Sequence, residues 1–458
     1  MKARQRALVS TLVLLALAGA AVALAFFGVA RKDEARAAKK TAEERLYAFR
    51  PAEVKSFTLV AKGDTTRLER AGDGWRLTAP VEAEAEKASV NSLLEAVAGL
   101  KRKAAIAPKP DPASLARYGL ATPRARLTLA LDGGKSATLA LGDENPFDGS
   151  SFVEITSGAV DLVGAELKWS LEKSAFDLRD KRLLPFAEDR LERLEVVTPR
   201  LSYALAPGAG GYRLLAPVKE AADDAALARV LAALRDLRAT SFTHPSEGDA
   251  ALGLDHPRFT VKLALKGGPT RTLDLGAPPP PPAKPAGEGG AKSEPPLYAR
   301  FEGSTEVATV PAEAASGLDQ DLFALRDKKV LHFDRDKLSK LGFTVGGKAF
   351  EGQRGEGHER LEAVVSALAG LEARAFPDEG ALARYGLDHP EAEVLLSGAD
   401  GQKLDRLVVA EKDGKAYARA DSSPRVAEVD PAALKALPRS EADLAEAAKA
   451  PPTPTAGK

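Results

Sequence analysis

Three stretches of the chain carry one apolar register. Val90, Leu93, Leu94, Val97 and Leu100 recur as Leu227, Val230, Leu231, Leu234 and Leu237, and again as Leu361, Val364, Val365, Leu368 and Leu371. Each series runs i, i+3, i+4, i+7, i+10, which predicts an amphipathic helix burying one face. Five matched positions in three places, with starts at 90, 227 and 361, mark tandem repeats. Alternating segments surround the helices and predict strands. Leu127, Leu129 and Leu131 in the first copy match Phe259, Val261, Leu263 and Leu265 in the second. Gly133-Gly134 and Gly267-Gly268 predict the hairpin turns that follow.

The flanks repeat in the same order. Tyr118-Gly119-Leu120-Ala121-Thr122-Pro123 corresponds to Leu252-Gly253-Leu254-Asp255-His256-Pro257 and to Tyr385-Gly386-Leu387-Asp388-His389-Pro390. In each, glycine supplies a positive φ that ends a short helix and proline forbids its continuation. Ahead of the first two helices, Gly74-Trp75-Arg76-Leu77-Thr78-Ala79-Pro80 matches Gly211-Tyr212-Arg213-Leu214-Leu215-Ala216-Pro217. A later strand carries Tyr298-Ala299-Arg300 in copy two and Tyr417-Ala418-Arg419 in copy three. The copies are joined by Leu178-Arg179-Asp180-Lys181 and Leu325-Arg326-Asp327-Lys328.

These landmarks divide the chain into a segment 1–30, a linker 31–45, repeats over 46–186 and 187–333, a third repeat over 334–444 and a disordered tail over 445–458. The third repeat is truncated: it lacks the aromatic-Arg-Leu strand before its helix and the Leu-Arg-Asp-Lys ending, as expected of a terminal cap. A proline-rich loop over 277–296 interrupts the second. Residues 7–30 are uncharged and apolar, and a helix of that length crosses a hydrocarbon core of about 30 Å. Lys2, Arg4 and Arg6 precede the run. An uncleaved signal anchor is the reading taken, with a cleaved signal peptide as the alternative. Either places the body outside the cytoplasm, because long domains translocate largely regardless of their charge. The expected fold is therefore α+β: an N-terminal transmembrane helix, then three tandem repeats, each mostly antiparallel β with one packed amphipathic helix. The expected location is single-pass in the inner membrane.

Together the aromatic-Arg-Leu strand, the amphipathic helix, the Tyr-Gly-Leu-x-x-Pro turn and the Leu-Arg-Asp-Lys connector resemble the bacterial family termed domain of unknown function 4340. The resemblance covers about residues 46–440, on the repeat spacing above. It carries no catalytic residues. It implies an accessory role beside envelope ABC-transporter or gliding-type auxiliary subunits.

Charge changes the picture by exclusion. Lys and Arg number 65 against 65 Asp and Glu, so the basic excess of a nucleic-acid protein is absent. There is no cysteine, which removes disulfides, thiolate zinc sites and cysteine nucleophiles. The five histidines are scattered, with no pair at metal-binding spacing. His256 and His389 share a turn position that holds Thr122 in copy one, which favours a surface role. His332 reads as a strand residue facing away from the apolar side. The acidic segment Asp143 to Gly149 departs from a calcium loop, because its third acid comes one place late and Pro146 interrupts it. An Asx-type turn is the simpler reading.

No cofactor, metal or catalytic residue is assigned. The recurring Arg179-Asp180 and Arg326-Asp327 are read as structural junctions between repeats. Their other reading, an arginine that recognises an anion, requires a cleft. The functional expectation is a membrane-tethered extracytoplasmic scaffold or binding protein, partnered by the membrane through residues 7–30, without catalysis. The alternative is an enzyme binding or hydrolysing an envelope polymer, with acidic residues in an inter-repeat groove. A further alternative is glycan binding by exposed aromatics.

Overall fold

The computed structural model describes residues 44–277, 295–355, 359–377, 380–423 and 425–445. The chain divides into two compact units, Met1–Arg182 and Leu183–Lys458.

In the first unit the described elements are β1 (Val54–Ala61), β2 (Asp64–Ala71), β3 (Gly74–Ala79), β4 (Ala83–Glu84), α1 (Lys87–Ala98), β5 (Ala104–Ala107), α2 (Pro112–Arg117), β6 (Ala125–Leu131), β7 (Ser136–Glu144), β8 (Ser151–Ile155), β9 (Val160–Val163), α3 (Leu167–Leu171) and α4 (Ala175–Leu178). The strands form one antiparallel sheet in the order β4-β3-β2-β1-β6-β7-β8-β9-β5. Alternation sets its inner face. Phe57 and Leu59 on β1 stand opposite Leu129 and Leu127 on β6, and all four are buried. Val90, Leu93, Leu94 and Val97 bring α1 into the same core. Trp75 meets Phe57 edge-on with centroids 5.4 Å apart and is almost fully buried. Each such aliphatic side chain withdrawn from water contributes about 1.5–3 kcal/mol.

The second unit opens with β10 (Leu191–Val197), β11 (Ser202–Gly208), β12 (Gly211–Ala216), β13 (Glu220–Ala221), α5 (Asp224–Asp236), β14 (Ser241–Thr243), α6 (Asp249–Leu252), β15 (Phe259–Leu265), β16 (Arg271–Gly276), β17 (Leu297–Phe301), β18 (Val307–Val310) and α7 (Leu322–Leu325). Their order, β13-β12-β11-β10-β15-β16-β17-β18-β14, repeats that of the first unit strand for strand. Asp223 caps α5 by accepting from the Ala226 N–H at 2.8 Å. Gly253 ends α6 at φ +66°, and a Cβ there would lie 2.0 Å from the Ala277 carbonyl oxygen. Only glycine fits that approach.

A third sheet follows in the same unit: β19 (Leu338–Val345), β20 (Lys348–Gln353), α8 (Glu359–Ala369), β21 (Ala392–Gly398), β22 (Lys403–Lys412), β23 (Lys415–Ala420) and β24 (Ala427–Val429), ordered β20-β19-β21-β22-β23-β24. Two short helices close it, α9 (Pro431–Lys435) and α10 (Ala442–Ala445). Two strands, not four, precede its helix. Phe350 stacks on Phe343 at 5.2 Å, and Leu444 is buried beside Gly352. The expected tail lies outside the described residues from 446 onward, as does most of the proline-rich loop, residues 278–294.

The expected fold class needs correction. The protein is mostly antiparallel β, with three sheets and few helices among the described residues, and the transmembrane helix is not supported. No described helix is long and apolar enough to cross a membrane. The longest, α5, has 13 residues, which span about 20 Å against a core of about 30 Å. It also carries Arg229 and Arg235 off its buried face. Residues 7–30, where the anchor was expected, lie outside the described residues. The single-pass inner-membrane location loses its structural basis with the helix and is withdrawn.

Candidate functional site

The four junction residues fall just after α4 and α7. Ser174 caps α4, its hydroxyl accepting from the Asp177 N–H at 3.3 Å, and Asp321 caps α7, accepting from the Ala324 N–H at 2.7 Å. After Arg179 the chain runs extended along β4. Ala85 bridges Arg179, and the Asp180 N–H donates to the Glu84 carbonyl at 2.9 Å. The Asp180 carboxylate accepts from the Arg182 N–H at 3.0 Å and from its guanidinium at 2.6 Å. After Arg326 the chain follows β13 likewise: Ala222 bridges Arg326, and the Asp327 N–H donates to Ala221 at 3.1 Å. The Asp327 carboxylate accepts from the Lys329 N–H at 2.9 Å and meets His332 Nε2 at 2.5 Å. His332 is exposed and lies outside any strand, contrary to the strand expected there.

Arg326 also faces a cleft of about 1160 Å³ within the second unit. One wall comes from the second sheet and α7 (Val218 to Glu220, Leu322, Phe323), the other from the third sheet and the segment between α8 and β21 (Arg374 to Pro377, Arg419, Arg425). Glu220 Oε2 lies 2.8 Å from Arg425 Nη1 and 3.2 Å from Arg326 Nε. Neither contact is aligned as a hydrogen bond, so all three atoms are buried without a hydrogen-bond partner. Two guanidiniums therefore share one carboxylate oxygen through charge alone. Both also approach the Phe376 ring, Arg425 at 4.2 Å and Arg326 at 5.4 Å. Burial pulls the Arg425 guanidinium below its usual range, with Glu220 opposing the shift. Since arginine stays charged in proteins, burial here is an electrostatic cost that an anion would offset.

Arg419 completes the cluster. Its Nε is buried with no hydrogen-bond partner. Its counterpart in the second sheet, Arg300, is held by both oxygens of Asp249 at 2.6 Å. In the aligned turn of the third sheet the place of Asp249 is taken by Leu382, which lines the cleft. The acid is lost and the arginine kept. Among the described lining residues there are five cations, Lys219, Arg326, Arg374, Arg419 and Arg425, and one acid, Glu220. Arg374 is paired outside the cluster with Asp430.

The remaining sequence candidates resolve into local structure. Asn145 accepts from the Phe147 N–H at 3.1 Å in an Asx turn. Asp148 receives the Ser150 N–H and hydroxyl and the Lys103 ammonium, which hold its carboxyl below the usual range. No group of three or more metal-ligating side chains occurs among the described residues. His244, His256 and His389 are exposed, and His358 lies outside the described residues. A void of about 20 Å³ between α8, α9 and their sheet is lined almost wholly by aliphatic side chains and is a packing gap.

Three antiparallel sheets in one tandem pattern, with a cationic cleft between the last two, define a β-rich repeat protein. The family model for a domain of unknown function (DUF4340) matches residues 75–257, 213–357 and 357–454, and the chain belongs to that family. No curated protein and no solved structure matches it.

Proposed function

We propose that the chain is a non-catalytic binding protein whose cleft in the second unit receives an anionic ligand. One observation carries the reading: five cations and a single acid, Glu220, line one cleft, and Arg419 Nε is buried there with no hydrogen-bond partner while Arg326 and Arg425 must share Glu220. Leaving such a donor unmatched costs about 1–3 kcal/mol, and an incoming oxyanion removes that cost while adding charge-assisted bonds. Catalysis on a polymer would need a second carboxylate beside Glu220. Among the described lining residues there is none, and Glu220 is already engaged by two guanidiniums. The proposed setting, a scaffold serving an ABC-transporter or gliding-type assembly, rests on the family resemblance alone.

Calorimetric titration of the full chain with citrate and with inorganic phosphate, at fixed ionic strength, tests the site. Saturable binding of either anion that weakens at least tenfold in Arg419→Met supports the reading. Equal binding by the variant, or none by the wild type, overturns it.

A further inference from the structure

Resting on that reading of the cleft, we infer that its ligand is an acidic polypeptide segment: an extended stretch presenting carboxylates between apolar side chains. A free ion would fill only a small part of the cleft. The cleft of about 1160 Å³ exceeds the roughly 300–1,000 Å³ typical of small-molecule pockets. Its composition is mixed, with Val218, Leu322, Phe323, Pro377 and Val426 standing beside the charges. A bare anion would leave those walls facing water, whereas alternating side chains of an extended peptide meet both kinds of surface.

One wall is itself extended chain at a sheet margin, whereas the outer edge of β13 is already paired by Arg326 and Asp327. The segment entering Phe376 joins the third sheet's terminal strand, β24, through the Ala375–Glu428 bridge. Extended polypeptide commonly docks along such margins.

Carboxylate fits better than phosphate because Glu220 sits inside the cluster. Glu220 keeps the guanidiniums apart from a single compact anion, while each guanidinium fork matches a planar carboxylate and a peptide can bring several of them. Nucleic acid fits least. Phe376, the ring central to the cluster, is approached by two guanidiniums, so bases lack an open stacking platform there.

The test uses the full chain and dye-labelled peptides of about eight residues, read by fluorescence anisotropy. One peptide alternates Glu with Leu and Val, and its counterparts carry Gln or Lys in place of Glu. Inorganic phosphate and a single-stranded oligonucleotide serve as competitors. The inference expects the Glu peptide to bind at least tenfold tighter than the Gln peptide, the Lys peptide not to bind, and Arg419→Met to weaken the Glu peptide at least fivefold. Glu220→Gln should tighten it, a gain that misfolding cannot mimic. If phosphate or the oligonucleotide binds and displaces the peptide more effectively than unlabelled peptide does, the anion site stands and the peptide inference falls. Equal binding of Glu and Gln peptides also overturns the inference. If no anion of any kind binds, both readings fall together.

Discussion

The two Leu-Arg-Asp-Lys connectors begin alike and end differently. In both, the leucine is buried, and the aspartate N–H donates to the strand ahead of the repeat's long helix. In both, the aspartate carboxylate accepts the N–H two residues on, and the lysine reaches the acid at the start of that helix. The divergence lies in the charges. Asp180 closes on the guanidinium of Arg182, whereas Asp327 closes on the imidazole of His332. Arg326 shares Glu220 with Arg425, which the chain supplies about a hundred residues later. A short motif thus fixes a main-chain joint, while the role of its charged side chains is set by what other segments bring to them. Arg326 bridges Ala222 at the joint and also lines the cleft.

The shared part of the connectors should give the largest effects. Leu178→Ala and Leu325→Ala should each cost about 2–5 kcal/mol in denaturant unfolding, since both side chains are almost fully buried. A marked inequality would show that the two joints are not built alike. The lysine-to-helix link comes next. Asp223 caps α5 and also binds Lys328 at 2.9 Å, so Asp223→Ala should cost about 1–2 kcal/mol. Glu86 makes no side-chain cap to α1 and meets Lys181 only at 3.8 Å, so Glu86→Ala should cost less. Equal losses in thermal unfolding would remove that distinction.

Arg419→Met should leave stability within about 0.5 kcal/mol of wild type or raise it, because it removes a donor with no acceptor. Its counterpart Arg300→Met breaks a bidentate pair and should lose up to about 1 kcal/mol. A clear loss for Arg419→Met would mean that this arginine holds the fold together.

The smallest effect is a pH dependence confined to the second connector. Donating a hydrogen bond to the Asp327 carboxylate raises His332 above its ordinary 6.5. That contribution is complete below the ordinary value and is lost as pH rises through the folded one. Burial alone would raise the Asp327 carboxyl, but the His332 bond and the Lys329 N–H outweigh it and hold it below its ordinary 3.8. Its contribution is complete above 3.8 and fades as pH falls through the folded value. The pair should therefore help most between roughly pH 4 and pH 6.5, by well under 1 kcal/mol because His332 is half exposed. His332→Asn should flatten this profile, whereas the first connector has an arginine, Arg182, in the place of the imidazole.

The fold was legible where one residue's neighbours in sequence are also its neighbours in space. Helical spacing marked Leu227, Val230, Leu231 and Leu234, and α5 buries all four together with Ala226 and Ala233. Gly253 and Gly386 were marked as turn glycines, and both take positive φ. The site was not legible in the same way. Glu220, Phe376 and Arg425 belong to no repeated motif, and they meet Arg326 only through folding of the second unit. One signal was available. Arg419 had been matched to Arg300 without asking for its partner, and Leu382 in the place of Asp249 marks an arginine stripped of its acid. The apolar run 7–30 lies outside the described residues, and no described helix is long and apolar enough to supply the membrane span expected from it.

In the proposed reading the cleft guanidiniums, with Glu220 as their one lining acid, take up a further anion, whereas Arg182 and Arg300 each already hold a carboxylate. Arginine Nε–Hε resonances of the full, selectively labelled chain, followed by NMR during citrate titration, test this directly. The Arg326, Arg419 and Arg425 signals should shift together on one binding curve, with Arg182 and Arg300 unmoved because Asp180 and Asp249 hold them. Shifts of equal size at Arg182 and Arg300, or none at the cleft three, would contradict it.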